Sequence, residues 1–171
     1  MHGMKLNALL VALLALLACH HVKEKTLLPS QVYQPADIDT AALADKHMVY
    51  VPVYSHIYTE DGTSTINLNA TLSVRNTSFT DSFYVTDVAY YDSQGKLLKR
   101  YLHSTLVLRP MSSIEFVVER TESAGGAGAN FVVRWGSQQA GIQPLIQSVM
   151  IGTAQGISFL AAGVEMKAPL P

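Results

Sequence analysis

A strict alternation of apolar and polar side chains between positions 65 and 75 constrains the fold of this chain more than any other feature. Successive side chains of a β-strand point to opposite faces, whereas a helix would need apolar residues at spacings of three and four. The alternation therefore predicts a strand with one face in the core and the other in water. Its apolar residues are Ile66, Leu68, Ala70, Leu72 and Val74.

The same period of two recurs along most of the chain, with turn signals between the runs. An early run has Val49, Val51 and Val53 as its apolar set, and its Pro52 favours an edge or a bulge because proline cannot donate a ladder hydrogen bond. The segment 92–95 has Asp and Gly at the positions that a type I turn prefers. Further strands are predicted at 83–91, 97–102, 105–108, 114–119, 130–135, 145–151 and 157–161.

About nine short strands between positions 47 and 163 predict an all-β domain, an immunoglobulin-like antiparallel β-sandwich. A closed barrel built from the same strands is the alternative. Trp135, the only tryptophan, shares a strand face with Phe131 and Val133 and is expected to be buried between the sheets. The chain has a single cysteine, so the fold contains no disulfide and its stability must come from packing.

The first eighteen positions have the pattern of an export signal. Lys5 precedes an uninterrupted apolar run at positions 6–17. As a helix this run would span roughly 18 Å, which is short of the roughly 30 Å of a hydrocarbon core. The pattern therefore favours a signal peptide at 1–18 over a membrane-spanning helix.

The end of this signal resembles the lipobox of bacterial lipoproteins. In that resemblance Leu16, Leu17 and Ala18 are the signal peptidase recognition residues, and Cys19 becomes the lipidated N-terminus of the mature protein. Two or three acyl chains would hold it stably on a membrane. His20 permits export to an outer membrane, so we expect a lipoprotein there, facing the periplasm. An ordinary secretory signal that leaves a free thiol is the alternative.

The mature chain is predicted to have three parts. Positions 19–46 are polar and interrupted by prolines, which predicts a lipid-anchored tether, although part of this segment could instead pack along the domain as an edge. Positions 47–163 form the β-sandwich domain, and 164–171 form a C-terminal tail. No cluster of Lys or Arg is present, so we expect no nucleic-acid partner.

A glycine-rich loop is the most unusual segment of the domain. Gly125, Gly126, Gly128 and Asn130 belong to it, and consecutive amides in such loops can form an anion-binding nest. The loop lacks the lysine of a phosphate-binding loop, and it precedes a strand rather than a helix. A wide hairpin connection whose residues need positive φ is therefore the favoured interpretation.

Histidines and nucleophiles provide little catalytic signal. His56 and His103 lie in or near strands and could join the glycine-rich loop in a ligand site, although each is more often a surface or turn histidine. No metal site and no cofactor are predicted. The chain has no Gly-x-Ser-x-Gly or His-Glu-x-x-His motif, so we expect no enzyme.

Five segments carry a specific resemblance: Tyr-Val-Pro-Val-Tyr-Ser-His-Ile-Tyr at 50–58, Leu-Ser-Val-Arg-Asn-Thr at 72–77, Tyr-Tyr-Asp at 90–92, Gly-Ala-Gly-Ala-Asn-Phe at 126–131 and Met-Ile-Gly at 150–152. Together they resemble a family of small exported bacterial proteins, many of them lipid-anchored, that is catalogued as a domain of unknown function. The resemblance covers roughly positions 48–163. It implies a single exported module and provides no activity, cofactor or partner.

These observations predict an envelope lipoprotein that acts as a non-enzymatic binding or structural module. Tyrosine-rich strands offer a recognition surface for an envelope protein or a cell-wall partner, and the membrane is contacted through the lipid anchor. A small-ligand or metal-binding module, built from the glycine-rich loop with His56 or His103, is the alternative. An envelope enzyme is the third hypothesis.

Overall fold

The computed structural model describes residues 34–154 and 156–167, and within them twelve strands pair in antiparallel ladders. The prediction of an all-β, antiparallel fold is therefore confirmed. Predictions for the signal peptide, for Cys19 and for the first part of the tether lie outside the described residues. The strands are β1 Asp45–Pro52, β2 His56–Tyr58, β3 Thr65–Asn67, β4 Asn69–Arg75, β5 Phe83–Tyr91, β6 Leu97–Arg100, β7 Leu106–Leu108, β8 Ser113–Val118, β9 Asn130–Ser137, β10 Leu145–Gly152, β11 Ile157–Ala162 and β12 Val164–Glu165.

Two sheets form a sandwich. The first has the order β12-β1-β9-β5-β6, with β7 also paired to β5, and the second has the order β11-β10-β4-β8. The pairs β4–β8 and β5–β9 correspond to the central B–E and C–F pairs of an immunoglobulin domain. The first strand β1 pairs with β9 and the later strand β10 pairs with β4, so the outer strands occupy opposite sheets relative to that domain.

The core lies between the two sheets. Alternate residues of both sheets are less than 2 % exposed and belong to one cluster, which includes Val51, Leu72, Phe116 and Phe131. Trp135 belongs to the same cluster and is 5 % exposed, so its predicted burial is confirmed. Burial of this apolar set is the main stabilising contribution to the fold, because no disulfide is present. Pro52 is the last residue of β1, beyond the two positions that pair with β12.

The segment 65–75 differs from its predicted form in two ways. It is divided at Leu68, whose backbone N–H donates to the Ser55 carbonyl at 2.9 Å, so that β3 belongs to a small hairpin with β2 and only β4 belongs to the sandwich. Its polar face is not fully solvated, because Ser73 is 4 % exposed and accepts a hydrogen bond from Arg75 Nε at 2.9 Å. Strand pairing decides where the segment divides, and burial by neighbouring side chains decides the exposure of Ser73. Local periodicity predicts neither feature.

Residues assigned from sequence to the tether and the tail pack on the domain where the structure describes them. The Gln34 carbonyl accepts from Val107, and the Ala36 N–H donates to Thr105, which places this segment along β7. Leu43 is 4 % exposed, and β1 begins at Asp45. These described residues before β1 therefore pack along the domain. The tail contributes β12, which pairs with β1. Within the described residues no helix has the length and apolar character needed to cross a membrane.

Candidate functional site

The glycine-rich loop connects β8 in one sheet with β9 in the other, so it is a crossover rather than the expected hairpin connection. A 3-10 turn, Ser123–Gly125, occupies its start, and Asn130 begins β9 opposite Pro52. Gly126 has φ +80°, which agrees with the expected need for positive φ. The sequence predicted a hairpin because strands that follow one another in sequence pair with each other more often than not.

Hydrogen bonds hold this loop against the domain. Ser93 Oγ donates to the Gly125 carbonyl at 3.0 Å and accepts from the Gly128 N–H at 2.9 Å. Ser55 donates from its N–H and its Oγ to the Gly126 carbonyl, at 3.1 and 3.0 Å. A Cβ on Gly125 would lie 2.0 Å from the Tyr90 hydroxyl oxygen. Close packing therefore explains these glycines better than an open anion-binding nest.

The two histidines that could join the loop occupy different places. His56 lies in β2, next to Ser55, and its ring meets Tyr58 edge to face at 5.6 Å. His103 is exposed in the turn after β6, where the Tyr101 N–H donates to the Val88 carbonyl at 2.9 Å. This contact puts Tyr101, two residues before His103, beside Val88 of β5, roughly 10 Å along the strand from Tyr91 at the end that adjoins the loop. The structure thus brings His56 near the loop but not His103. In the described part of the chain no His, Cys, Asp and Glu residues form a metal-binding group of three or more.

A different constellation surrounds a cavity of about 390 Å³ at the end of the sandwich where β1 begins. We call it the histidine cleft, and its principal lining residues are Asp45, His47, Trp135, Ile142, Ile146 and Glu165. The apolar part of its wall belongs to the hydrophobic core. The cleft therefore combines a core-like floor with a small charged cluster.

Strand geometry explains why the charged cluster faces inward. Asp45, His47 and Val49 occupy alternate positions of β1, and Val49 is part of the core. Pairing with β9 sets His47 opposite Trp135, and pairing with β12 sets Val49 opposite Glu165. The polar residues thus continue the inward face of the strand past the point where the core ends.

His47 lies between the two carboxylates. Its Nδ1 is 2.5 Å from Glu165 Oε1 in a hydrogen bond. Its Nε2 is 2.8 Å from Asp45 Oδ1, a charge contact without the alignment of a hydrogen bond. The imidazole also stacks on the Trp135 indole, with ring centroids 4.2 Å apart and planes inclined by 12°.

These contacts raise the pKa of His47 above 6.5. Burial, the largest single influence, lowers the pKa, but the contacts with Glu165 and Asp45 together outweigh it. The imidazolium form is thereby favoured, and it leaves the trio with one net negative charge.

Trp135, which lines the cleft, has a buried donor without a partner in the described part of the chain. Its indole N–H is buried and has no acceptor among the described residues. A buried donor left without a partner costs about 1–3 kcal/mol.

Residues 46–166 match the model of a family described as a protein of unknown function, DUF3124. This chain belongs to that family. The matched segment includes His47, Trp135 and Glu165, and it begins one residue after Asp45. No curated protein is detectably similar to the chain. Among solved structures, the chain is similar to the crystal structure of Thermotoga maritima 1070, with a TM-score of 0.40, 10 % sequence identity, and coverage of 71 % of this chain and 96 % of that one.

A second cavity of the DUF3124 domain, of about 360 Å³, adjoins the start of the glycine-rich loop. Tyr90, Lys99 and Glu122 contribute to its wall, and Lys99 Nζ lies 3.9 Å from Glu122 Oε1. The Tyr90 hydroxyl is buried without a hydrogen-bond partner among the described residues. Burial, followed by the charges of Glu122 and Asp92, raises the pKa of Tyr90 to about 12. This hydroxyl therefore stays protonated and acts as a packed, neutral group.

Sequence reasoning singled out none of the charged residues of the histidine cleft. Asp45 and His47 share the parity of Val49, so extending the period-two pattern four residues towards the N-terminus places both on the inward face. Glu165 is 118 positions from His47 and was assigned to the tail. Only the pairing of β12 with β1 brings these two side chains together.

Proposed function

We propose that this DUF3124 protein is a non-enzymatic binding module of the bacterial envelope and that the histidine cleft holds its ligand. The observation that carries the proposal is the cleft itself, a concave space of about 390 Å³ with an apolar floor and a few convergent polar groups. Ligand sites in proteins typically have this form and occupy about 300–1,000 Å³.

The chemistry of the cleft favours binding over catalysis. None of its lining residues is a Ser, Thr or Cys that could serve as a nucleophile. Asp45 and Glu165 engage both ring nitrogens of His47, so neither nitrogen can exchange a proton with a ligand unless a carboxylate is displaced. Such a cluster is better suited to recognising a charged group than to moving protons.

The location of the module follows from the N-terminal sequence alone. We propose that Cys19 carries a lipid and holds the domain at a membrane, on the periplasmic side of an outer membrane, within reach of cell-wall or protein partners. Intact-mass measurement of protein extracted from membranes should find Cys19 as an acylated first residue. A chain that retains positions 1–18 and carries no acyl group would contradict the proposal.

Ligand binding at the histidine cleft can be tested with full-length protein extracted in detergent. We would incubate it with soluble fragments of the envelope, including glycans, muropeptides and peptides, and follow backbone hydrogen exchange by mass spectrometry. We expect protection in the segments 45–49 and 141–146, which contribute to the cleft. Protection only elsewhere, or none with any fraction, would refute the assignment.

A matched pair of variants separates cleft binding from nonspecific effects. Gln143 is exposed at the rim of the cleft, and its backbone carbonyl accepts from Thr77 Oγ1 at 2.6 Å, a bond that a side-chain change preserves. Gln143→Trp should block the cleft and abolish the protection. Gln94→Trp, the same substitution in the exposed turn after β5, should leave the protection unchanged.

A further inference from the structure

We infer that one corner of the domain docks on the bilayer that holds the lipid anchor, with the side chains of Phe79 and Met111 in contact with lipid. This inference rests on the proposed lipidation of Cys19 and extends it from attachment of the chain to placement of the folded domain. We call the surface the apolar corner. It consists of Phe79 in the loop between β4 and β5, and of Arg109 and Met111 in the turn between β7 and β8.

The apolar corner displays two large apolar side chains at neighbouring loop tips. Phe79 is 83 % exposed, the largest fraction among the large apolar residues that the structure describes, and Met111 is 61 % exposed. The Met111 N–H donates to the Ser78 carbonyl at 3.1 Å, so the two side chains belong to adjoining backbone segments. Apolar surface held in water in this way favours contact with an apolar partner.

Hydrogen bonds hold both tips in place. The buried side-chain amide of Asn76 donates to the Asp81 carbonyl at 2.7 Å and to the carbonyls of Leu108 and Arg109 at 3.1 Å each, which joins the loop to the turn. Met111 has φ +58° and is the one non-glycine residue with positive φ among those described. A methionine therefore stands where glycine would be less strained, on a surface that loses little conformational entropy when it docks.

The described chain comes closest in sequence to the lipid anchor at this same corner. Gln34 is the described residue nearest in sequence to Cys19, and its carbonyl accepts from the Val107 N–H at 3.0 Å. Gln34 also lines a small cavity together with Arg109 and Ser112. The point from which the chain leads to the anchor therefore lies beside the β7–β8 turn.

The length of the connecting chain limits the distance between this corner and the bilayer. Positions 20 to 34 add fifteen residue steps after Cys19, which reach at most about 50 Å whatever their conformation. An anchor within this distance confines the corner to a small volume above the bilayer, equivalent to a concentration of about millimolar order. A weak contact is sufficient at such a concentration. The position of Gln34 thus favours the bilayer over a partner that diffuses freely.

Charges at the apolar corner are compatible with a surface of lipid phosphates. Arg75 and Arg109 are exposed at this end of the domain. The Asp81 carboxylate accepts hydrogen bonds from Thr80 Oγ1 at 2.7 Å and from Ser78 Oγ at 3.3 Å. Exposed basic side chains are attracted to the anionic headgroups of a bilayer. Apolar tips with arginines beside them are therefore suited to the boundary between headgroups and acyl chains.

The histidine cleft lies at the same end of the sandwich but at the opposite edge. Its walls come from β1, β9, β10, β12 and the segment 141–144, whereas the apolar corner belongs to the edge formed by β7 and β8. No residue of the apolar corner lines the cleft. Lipid docking and ligand binding at the cleft therefore use different residues and can be tested separately.

Fluorescence of the full-length lipoprotein tests the docking. Protein extracted in detergent would be reconstituted into vesicles of phosphatidylethanolamine and phosphatidylglycerol whose acyl chains carry bromine, which quenches indole emission at short range. Phe79→Trp places an indole at the apolar corner. Tyr58→Trp is the matched control, because Tyr58 is 61 % exposed on the β2–β3 hairpin, at the other end of the sandwich. We expect quenched and blue-shifted emission from Phe79→Trp only, over the common background of the buried Trp135.

A second substitution in the Phe79→Trp background measures the contribution of the other tip. Met111→Gly should lower the ratio of docked to undocked domain about fivefold, because it removes a side chain that lipid would bury. It should not lower the free energy of unfolding, because glycine adopts positive φ without strain. Tyr58→Ser removes an equally exposed side chain from the other end and should leave the ratio unchanged.

The outcomes distinguish docking from anchoring. If Cys19 is acylated and the protein floats with the vesicles, but Phe79→Trp is not quenched, the inference is overturned and the lipid anchor stands. Equal quenching of Phe79→Trp and Tyr58→Trp also overturns it, because the domain then has no preferred orientation. Quenching that is absent in pure lipid, with burial of the indole only after envelope proteins are added, would assign the surface to a protein partner instead. If Cys19 carries no acyl group, both proposals fail.

Discussion

The contact between Gly125 and the Tyr90 hydroxyl offers a stability prediction that can be worked out from distances. A Cβ added at Gly125 would lie 2.0 Å from the hydroxyl oxygen, 2.9 Å from Tyr90 Cζ and 2.9 Å from Ala129 Cβ. Tyr90 is 2 % exposed, so its ring has no free space into which to move. Gly125 has no positive φ, and Gly125→Ala therefore adds steric conflict without backbone strain.

Gly125→Ala should lower the free energy of unfolding by about 2–3 kcal/mol, the usual effect of overpacking a buried site. Tyr90→Phe should be neutral or should raise that free energy by about 1 kcal/mol, because it removes a buried hydroxyl that lacks a partner. In the Tyr90→Phe background the shortest contact disappears and the two at 2.9 Å remain. Gly125→Ala should then cost about 1 kcal/mol, so that the two sites couple by about 1–2 kcal/mol.

Urea unfolding, followed by tryptophan fluorescence, measures all four members of this cycle. Gly128→Ala is the matched control, because its Cβ would meet Ser93 Oγ at 3.3 Å and should cost less than about 1 kcal/mol. A Tyr90→Phe variant destabilised by more than about 1 kcal/mol would show that the hydroxyl has a partner, and would refute the reasoning. Additive single effects would show that the two groups are not in steric conflict.

Three further predictions concern the cleft and the core. The pKa of His47 is raised in the folded state, so protonated His47 contributes to stability fully below about pH 6.5, and this contribution is lost as the pH rises through the raised pKa. The free energy of unfolding should therefore fall as the pH rises through this window, and His47→Gln should remove that pH dependence. Gly163→Val would place its Cβ 2.6 Å from Val49 Cγ1, so we expect a loss of about 2 kcal/mol and faster hydrogen exchange in β12. Asn76→Ala removes the hydrogen bonds from a buried side-chain amide to three backbone carbonyls, so it should lower the free energy of unfolding by at least about 2 kcal/mol and lower the thermal midpoint. Asn67→Ala, at an exposed position, should have little effect on either quantity.

The strands could be predicted closely because strand periodicity is local. The predicted segment 83–91 is β5. The segment 114–119 differs from β8 by one residue at each end, and 145–151 is one residue shorter than β10. The short strands β2 and β12 escaped prediction because three or two residues carry no usable period. Their existence depends on a partner strand that is distant in sequence or on a turn.

The candidate site could not be predicted in the same way. The glycine-rich loop is conspicuous in composition, yet its glycines are needed for close approach to Tyr90 and Ser93. His47 and Asp45 are inconspicuous in sequence, and they acquire chemical interest only beside Glu165 and Trp135. A cluster of this kind depends on strand register, which local sequence does not encode.

The sequence by itself determined the secondary-structure class, the inward and outward faces of the longer strands and the absence of a disulfide, because these depend on backbone geometry and composition. The tertiary structure alone decided which strands pair, that residues 34–36 pack along β7, and that Glu165 meets His47. The physical reason is that pairing and burial result from competition among contacts across the whole domain, whereas the alternation of side chains along a strand is a property of adjacent residues.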